Sequence, residues 1–284
     1  MSQEEKLLRA KKVIENSRYL VCLLGMRVSS QCGCTNWRSD QDAYDIETRY
    51  GCSPEEMFSA EFYNTRVTQF YDFYKREILS KRGRINEGMK TLKRLEDRGI
   101  LQAVITRDIY SLPKRAGCKK VLEIHGSIYR NVCPKCRTKY PMKAVAECAG
   151  TPKCTKCGTT IRPEVCLRGE MVNNALLTRA VDEVGMADTL LLLGCSMHSQ
   201  LAKTYVKYFE GDKVILINDQ DHYADTAADL VIDGKAMDIM SKLGIVKEKG
   251  LHMQAFHTCR APWLAAGGLF LMEIYKTASL GYDQ

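Results

Sequence analysis

Short, nearly unbroken apolar runs alternate along this chain with stretches whose apolar residues recur every three or four positions. The runs YLVCLL (19–24), ILQAVIT (100–106), VLEI (121–124), DTLLLLG (188–194), KVILIN (213–218) and DLVI (229–232) are too short for helices. Most are apolar at successive positions, as parallel strands are when helices cover both of their faces. Between the runs, Ile85, Met89, Leu92 and Leu95 share a helical face, and Gly99 stands where a C-terminal cap belongs. Leu176, Leu177, Ala180, Val181 and Val184 form a second such face ahead of DTLLLLG. The predicted fold class is α/β, a doubly wound, mostly parallel Rossmann-like sheet whose ligands bind outside the carboxyl ends of its strands.

Two stretches break this rhythm. Residues 40–82, including FYNTRVTQFYDFYKREIL, are aromatic-rich and read as a helical insert. Residues 127–162 are rich in Cys, Lys, Pro and Gly and cannot build a core unaided, so they need a staple. The expected organisation is a discontinuous Rossmann-like domain (1–39, 83–126 and 163–246), the helical insert, a zinc-ribbon module at 127–162 and a C-terminal extension at 247–284.

The staple is Cys133 and Cys136, then 17 residues, then Cys154 and Cys157, the two-pair spacing of a tetrahedral four-thiolate zinc site. Each pair makes a knuckle that sets two sulfurs on one side of the ion. Arg130, Lys135, Arg137, Lys139, Lys153 and Lys156 lie near enough in sequence to offset the excess negative charge of four thiolates. With every position filled by protein, one structural zinc per chain is expected, with no place for water. Cys148, alone inside the loop, is the poorer ligand.

Length and charge narrow the classes further. A chain of 284 residues, 45% apolar, holds one large domain with a smaller insert. Its N-terminus, MSQEEKLLRAKKVIENS, is a charged amphipathic helix pattern rather than an export segment, and 13 cysteines then point to a reducing, cytoplasmic setting. No run reaches the roughly 18 apolar residues of a membrane span. The net charge of +8 suits an anionic ligand such as a dinucleotide and equally a basic surface. The basic residues are scattered rather than arrayed in a stripe with aromatics, so neither nucleic acid nor membrane is an expected partner.

The first strand opens into LLGMRVSSQCGCTNWRS (23–39), which has the length and punctuation of a phosphate-cradling loop. Between Gly25 and Gly33, where backbone near an anion would carry bare glycine, it places Met26 and Arg27. Two readings stay open: Arg27 swings out to clamp phosphates, or it fills the slot itself and excludes them.

From about residue 5 to about residue 245 the chain resembles the sirtuins, NAD-dependent protein deacylases of the silent-information-regulator family. GMRVSSQCGCTNWR is similar to the family's G-A-G-I-S-x-x-S-G-I-P-D-F-R; TRDIY stands where T-Q-N-I-D is usual; RAG…VLEIHGS matches closely. RPEVCLRGE resembles R-P-x-V-V-x-F-G-E, GCS resembles G-T-S, and ILIN resembles a strand ending in Asn. The resemblance implies NAD extended across the strand ends. Gly25, Ser29 and Arg38 would hold the phosphates and nicotinamide ribose, Gly194 and Ser196 the phosphate-ribose region, and Asn218 the adenosine ribose. It implies an acyl-lysine protein or peptide as substrate, release of nicotinamide, and His125 as the base that takes a ribose hydroxyl proton. A single His after a strand is ordinarily structural; its setting in EIHGS, just before the zinc knuckle, argues for the base. The survival of the six cofactor positions favours clamping by Arg27.

The departures from the family pattern cluster at the chemistry. Arg107, Asp108 and Tyr110 replace the residues that orient the nicotinamide ribose and grip the carboxamide; Asp108 loses a donor and brings a charge, either stabilising a cationic ribose or repelling phosphate. Cys166 and Arg168 stand in the expected acyl channel. An unpaired guanidinium there is costly, so Arg168 points to solvent, pairs with an internal acid, or meets an acidic acyl group such as succinyl. Tyr71 with Tyr74, or Asp72 with Lys75, are the insert residues nearest to the family's acid-recognising pair. Cys195 replaces Thr as a small packing residue, Trp37 keeps an aromatic, and His252, His257 and Cys259 fit no standard metal spacing. The tail reads as a helix packed on the domain or on a second subunit, making a homo-oligomer. The favoured function is a deacylase preferring acidic acyl groups; a mono-ADP-ribosyltransferase or NAD glycohydrolase, and a weakly active NAD or ADP-ribose sensor, remain alternatives.

Overall fold

The computed structural model describes residues 1–35 and 40–245. Nine strands occur among them: β1 (Leu20–Leu24), β2 (Leu101–Thr106), β3 (Val121–Glu123), β4 (Gly126–Val132), β5 (Lys139–Pro141), β6 (Arg162–Val165), β7 (Thr189–Leu193), β8 (Lys213–Asn218) and β9 (Leu230–Asp233). The main sheet runs β3-β2-β1-β7-β8-β9 with every pairing parallel. All six of its strands coincide with the apolar runs, and the reason lies in their burial. Leu20, Cys22 and Leu24 of β1 face one core while Val21 and Leu23 face the other; β7 and β8 divide in the same way. Both sides of each strand are apolar because both sides are inside.

The helices cap as the sequence suggests. Glu87–Asp97 starts at Asn86, whose side chain accepts from Met89 N, and runs out before Gly99 at φ +74°. Asn174–Gly185 starts at Asn173 and buries Leu177, Ala180 and Val184. Gln3–Asn16 opens with a Ser2/Glu5 capping box. No helix among the described residues is long and apolar enough to cross a membrane.

Residues 40–79 are helical, ending in a π-helical turn at Tyr74–Leu79. Phe70, Tyr71, Phe73 and Tyr74 are fully buried there, with Phe70 stacked on Tyr74 at 5.4 Å. Glu77, buried in this turn, is neutralised by Arg49 and by Lys81 at 3.0 Å, and its carbonyl accepts from Thr35 Oγ1. The helical segment is thereby fastened to the end of the loop that follows β1.

Two local expectations need revision. The stretch after Gly25 is largely helix, Met26–Gln31, with Gly25 as N-cap. The cysteine-rich segment holds a three-stranded antiparallel sheet, β5-β4-β6, which periodicity did not reveal because its strands are short and one face is exposed. Its central strand begins at Gly126 and its last strand ends at Val165, so the sheet reaches directly to His125 and Cys166.

Candidate functional site

The strand order reverses between β1 and β7, and two glycines meet at that switch point. Gly25 N donates to Leu193 O at 2.8 Å. A Cβ on Gly25 would lie 2.4 Å from Gly194 O, and one on Gly194, whose φ is +61°, would lie 2.9 Å from Val28 N. Neither position tolerates a side chain, so the crevice floor is bare backbone. A cavity of 610 Å³ opens above it. The structure brings Gly25, Arg27, Ser29, Arg107, Asp108, His125, Gly194 and Ser196 to its walls, together with Tyr110, Glu55, Phe58 and Gln220.

His125 sits where the main sheet hands the chain to the zinc module. Ile124 N pairs with Thr106 O at 2.9 Å, and His125 O accepts from Cys166 N at 2.9 Å. The ring is met by Arg107, whose Nε donates to His125 Nε2 at 3.1 Å. Beside it, Asp108 is buried; its backbone N donates to Thr106 Oγ1 and its Oδ2 accepts from Tyr110 N at 3.2 Å. Burial raises the Asp108 carboxyl to about 6; nearby Ser29 and the Tyr110 and Ile109 amides pull the other way. Ser29 Oγ is itself buried without a hydrogen bond of good geometry. Burial and Asp108 push the Tyr110 phenol and the Cys34 thiol upward, and Cys32 to about 11, so both thiols stay protonated and unreactive.

Arg27 lies across the strand tips. Its Nη1 donates to Asn218 Oδ1 at 3.2 Å and is 3.6 Å from Asp219 Oδ1, while Nη2 donates to Gln220 Oε1. Gln31 Nε2 bonds Asp219 Oδ2 at 3.1 Å from the same helix. Asn218 does not line the cavity itself but is joined to two residues that do, through Oδ1 to Arg27 and through Nδ2, which donates to Gln220 O at 2.8 Å. Sequence reading missed Asp219, Gln220 and Gln31, polar loop residues without a distinguishing pattern.

Other candidates lie elsewhere. Cys166 lines a shallower neighbouring depression of 790 Å³ that shares His125. Arg168 is exposed and not part of the cavity wall; its backbone is bonded to Phe58 O at 3.0 Å and Ala60 N at 2.9 Å. The insert residues considered for acid recognition are engaged elsewhere: Tyr71 Oη donates to Ile161 O, Asp72 pairs with Arg76 at 2.8 Å, and Lys75 Nζ binds Cys148 O at 2.7 Å. Tyr74 is wholly buried. Trp37, Arg38, His252, His257, Cys259 and the extension 247–284, with the oligomer expected of it, lie outside the described residues.

The Sγ atoms of Cys133, Cys136, Cys154 and Cys157 all lie within 4.8 Å of one another. The knuckles are near copies. In each, the first cysteine's N–H bonds the carbonyl of a threonine five residues on, Cys133 to Thr138 at 2.9 Å and Cys154 to Thr159 at 2.8 Å. In each, the threonine hydroxyl sits near the second thiol, at 3.2 Å from Cys136 and 3.4 Å from Cys157. The intervening residue is left-handed, Arg137 at φ +60° and Gly158 at +72°. Tyr140 adds a third hydroxyl, donating to Cys154 Sγ at 3.1 Å, which draws that thiol down to about 6. Four sulfurs converging on one point, two of them (Cys136 and Cys154) drawn toward ionisation by hydroxyl neighbours, fit zinc, which binds thiolates. Cys148 is apart from this cluster, its Sγ 3.1 Å from Lys75 Nζ. The threonines were legible as a twice-repeated C-x-x-C-x-T; Tyr140 was not.

Residues 25–200 match the Sir2 family. An NAD-dependent protein deacetylase of Clostridium perfringens strain 13 is 34% identical over 241 residues, covering 84% of this chain and 99% of that one. One from Clostridium acetobutylicum is 33% identical over 229 residues, 80% of this chain and 94% of its own. Among solved structures, a Sir2 homologue bound to NAD superposes with a TM-score of 0.72 at 28% identity, covering 83% and 91% of the two chains. A Sir2 complex with a p53 peptide and NAD+ gives 0.70 at 26%, covering 86% and 97%. With sequence and fold agreeing over most of its length, this chain belongs to the Sir2 family.

Proposed function

We propose that the protein is an NAD-dependent protein lysine deacylase in which His125 is the general base. The observation carrying this reading is that His125, whose Nε2 accepts a hydrogen bond from Arg107, lines the cavity that opens above the Gly25–Gly194 floor. The relatives named NAD-dependent protein deacetylase and a Sir2 structure bound to acetylated peptide support an acyl-lysine protein or peptide as substrate.

The site fits NAD in two respects: bare backbone at the switch point, and the buried Ser29 hydroxyl without a good partner. NAD, when bound, supplies a ribose carbon activated by departure of nicotinamide. Gly25, Ser29, Gly194 and Ser196 would hold its phosphates and riboses, with Arg38 and Arg107 assisting and Asn218 at the adenosine end. Arg27 would exchange Asn218 and Asp219 for the phosphates. His125 Nε2 would receive a hydroxyl proton, and Asp108, ionised above about pH 6, would supply negative charge on the wall of the same cavity. The zinc module and helical segment flank this site, the zinc being structural.

For the acyl group, a neutral chain such as acetyl fits better than an acidic one: Glu55 and Phe58 line the cavity, whereas Arg168 is outside it. One observation favours a second reading. Tyr110, buried where the resemblance leads to an acid, alters the leaving-group pocket, a change that an ADP-ribosyltransferase or NAD glycohydrolase tolerates more readily. The test is to incubate the zinc-loaded protein with NAD, with and without acyl-lysine peptides, and measure nicotinamide. Peptide-dependent release, abolished in His125→Ala, supports the deacylase; release independent of peptide and preserved in His125→Ala supports the glycohydrolase.

A further inference from the structure

Position 107 carries Arg where the motif resemblance leads to Gln, and its Nε donates to the one ring nitrogen that the proposed chemistry needs. An amide in that place could donate equally well but carries no charge, whereas a guanidinium in a protein keeps its charge at every working pH. Because Arg107 is the donor, Nε2 must hold a lone pair, so the imidazole is neutral with its proton on Nδ1. Placing a proton on Nε2 would set two cations in contact and leave the Arg107 N–H facing another donor.

We propose that Arg107 is a positioning residue for His125: in the resting site it keeps the imidazole neutral with the Nε2 lone pair held at the cavity, and it yields that lone pair to the substrate hydroxyl. The proton then received by Nε2 meets the charge of Arg107, which favours its onward transfer. This rests on the reading of His125 as base and adds the residue that sets its protonation state.

Other charges surround the ring. Asp108, Glu55 and Arg27 line the same cavity, and Arg179 lines the neighbouring depression that shares His125. On the module side the acids are bound to cations: Glu123 to Lys114 at 2.7 Å and Arg130 at 2.6 Å, Glu164 to Arg130 at 3.5 Å, and Glu170 to Arg162. The Cys166 thiol, raised to about 11 chiefly by burial, remains neutral. Arg107 is thus the cation in hydrogen-bonding contact with Nε2.

Diethyl pyrocarbonate, which acylates only an unprotonated imidazole nitrogen, tests this on the full chain without cofactor. The chain has five histidines, so modification of the His125 peptide is readily followed by mass spectrometry. Arg107→Ala, which uncovers the lone pair, should react about tenfold faster than wild type at neutral pH. Over a pH series, the half-point of reaction in Arg107→Gln should lie about one pH unit above wild type, and Arg107→Lys, retaining charge, near wild type. Where turnover is measured, the acidic limb of kcat/KM should move upward in Arg107→Gln by the same amount. Superimposable rates and half-points in all four proteins would overturn the inference. Failure of the deacylase reading has a different signature: no peptide-dependent nicotinamide release from wild type, while the modification differences persist.

Discussion

Arg27 Nη1 donates to Asn218 Oδ1 at 3.2 Å, joining the segment after β1 to the tip of β8 over the intervening β7. This contact turns the least conventional residue of the glycine loop into a bridge across the proposed dinucleotide path. Asp219 and Gln220 hold the far end.

If the guanidinium exchanges these partners for phosphate, Arg27→Gly should weaken ADP-ribose binding about tenfold, the worth of one charge-assisted hydrogen bond. Asp219→Asn, which weakens the competing partner, should tighten it a few-fold. Isothermal titration calorimetry reads both; tighter binding in Arg27→Gly would instead mean that the bridge obstructs the cofactor.

Asp108 gives the fold a pH signature. Its folded carboxyl titrates at about 6 against an ordinary 3.8, so its contribution to stability is fully present below pH 4 and lost as pH rises through 6. In Asp108→Asn this loss is absent. Between pH 4 and 8 the variant should gain on wild type by up to roughly 3 kcal/mol in urea unfolding. A constant difference between the two proteins across that range would contradict the burial of an ionisable group here.

The hydroxyl of Tyr140 should protect the zinc. Tyr140→Phe removes a donor from Cys154 Sγ without altering the ligands, and zinc transfer to a chromogenic chelator should accelerate about tenfold or more. Cys154→Ser should eliminate stoichiometric zinc and open the 133–157 segment to proteolysis. Equal release rates for Tyr140→Phe and wild type would assign the hydroxyl to Thr155 alone, which it also contacts at 3.1 Å.

Gly126 follows the proposed base at φ +80°, and a Cβ there would come within 2.0 Å of Glu164 O. Gly126→Ala should therefore lower stability by about 3 kcal/mol or more, through left-handed strain and displacement of β6. Because β4 and β6 frame His125, nicotinamide release should fall with it even under conditions where the variant remains folded.

With Arg168 outside the cavity wall and Glu55 in it, acetyl-lysine peptides should turn over faster than succinyl-lysine peptides of the same sequence. Comparing initial rates of nicotinamide release checks the order; faster turnover of the succinyl peptide would restore an acid-binding role to an arginine of this site.

The main sheet was legible because burial on both faces leaves a one-dimensional trace: Leu20 to Leu24, Leu190 to Leu193 and Val214 to Ile217 are apolar at every step. The four zinc cysteines were equally plain, since knuckle geometry ties two ligands to a fixed local spacing. Short-range constraints of this kind survive in the order of residues. The module's own sheet left no such trace, for strands as short as Lys139–Pro141 with exposed side chains carry no period.

What tertiary structure alone decided concerns direction and partnership. Arg27, Arg107 and Arg168 are identical as letters, and all three are departures from one motif set. One is drawn to β8 by Asn218 and Asp219, one donates to the imidazole of His125, and one is exposed outside the cavity wall, on backbone bonded to Phe58 and Ala60. A guanidinium on a long flexible stem takes its role from acceptors brought within reach by folding, here from residues 18 to 193 positions away. Sequence specified the frame and the charges; only the packed strand tips determined which charge met which partner.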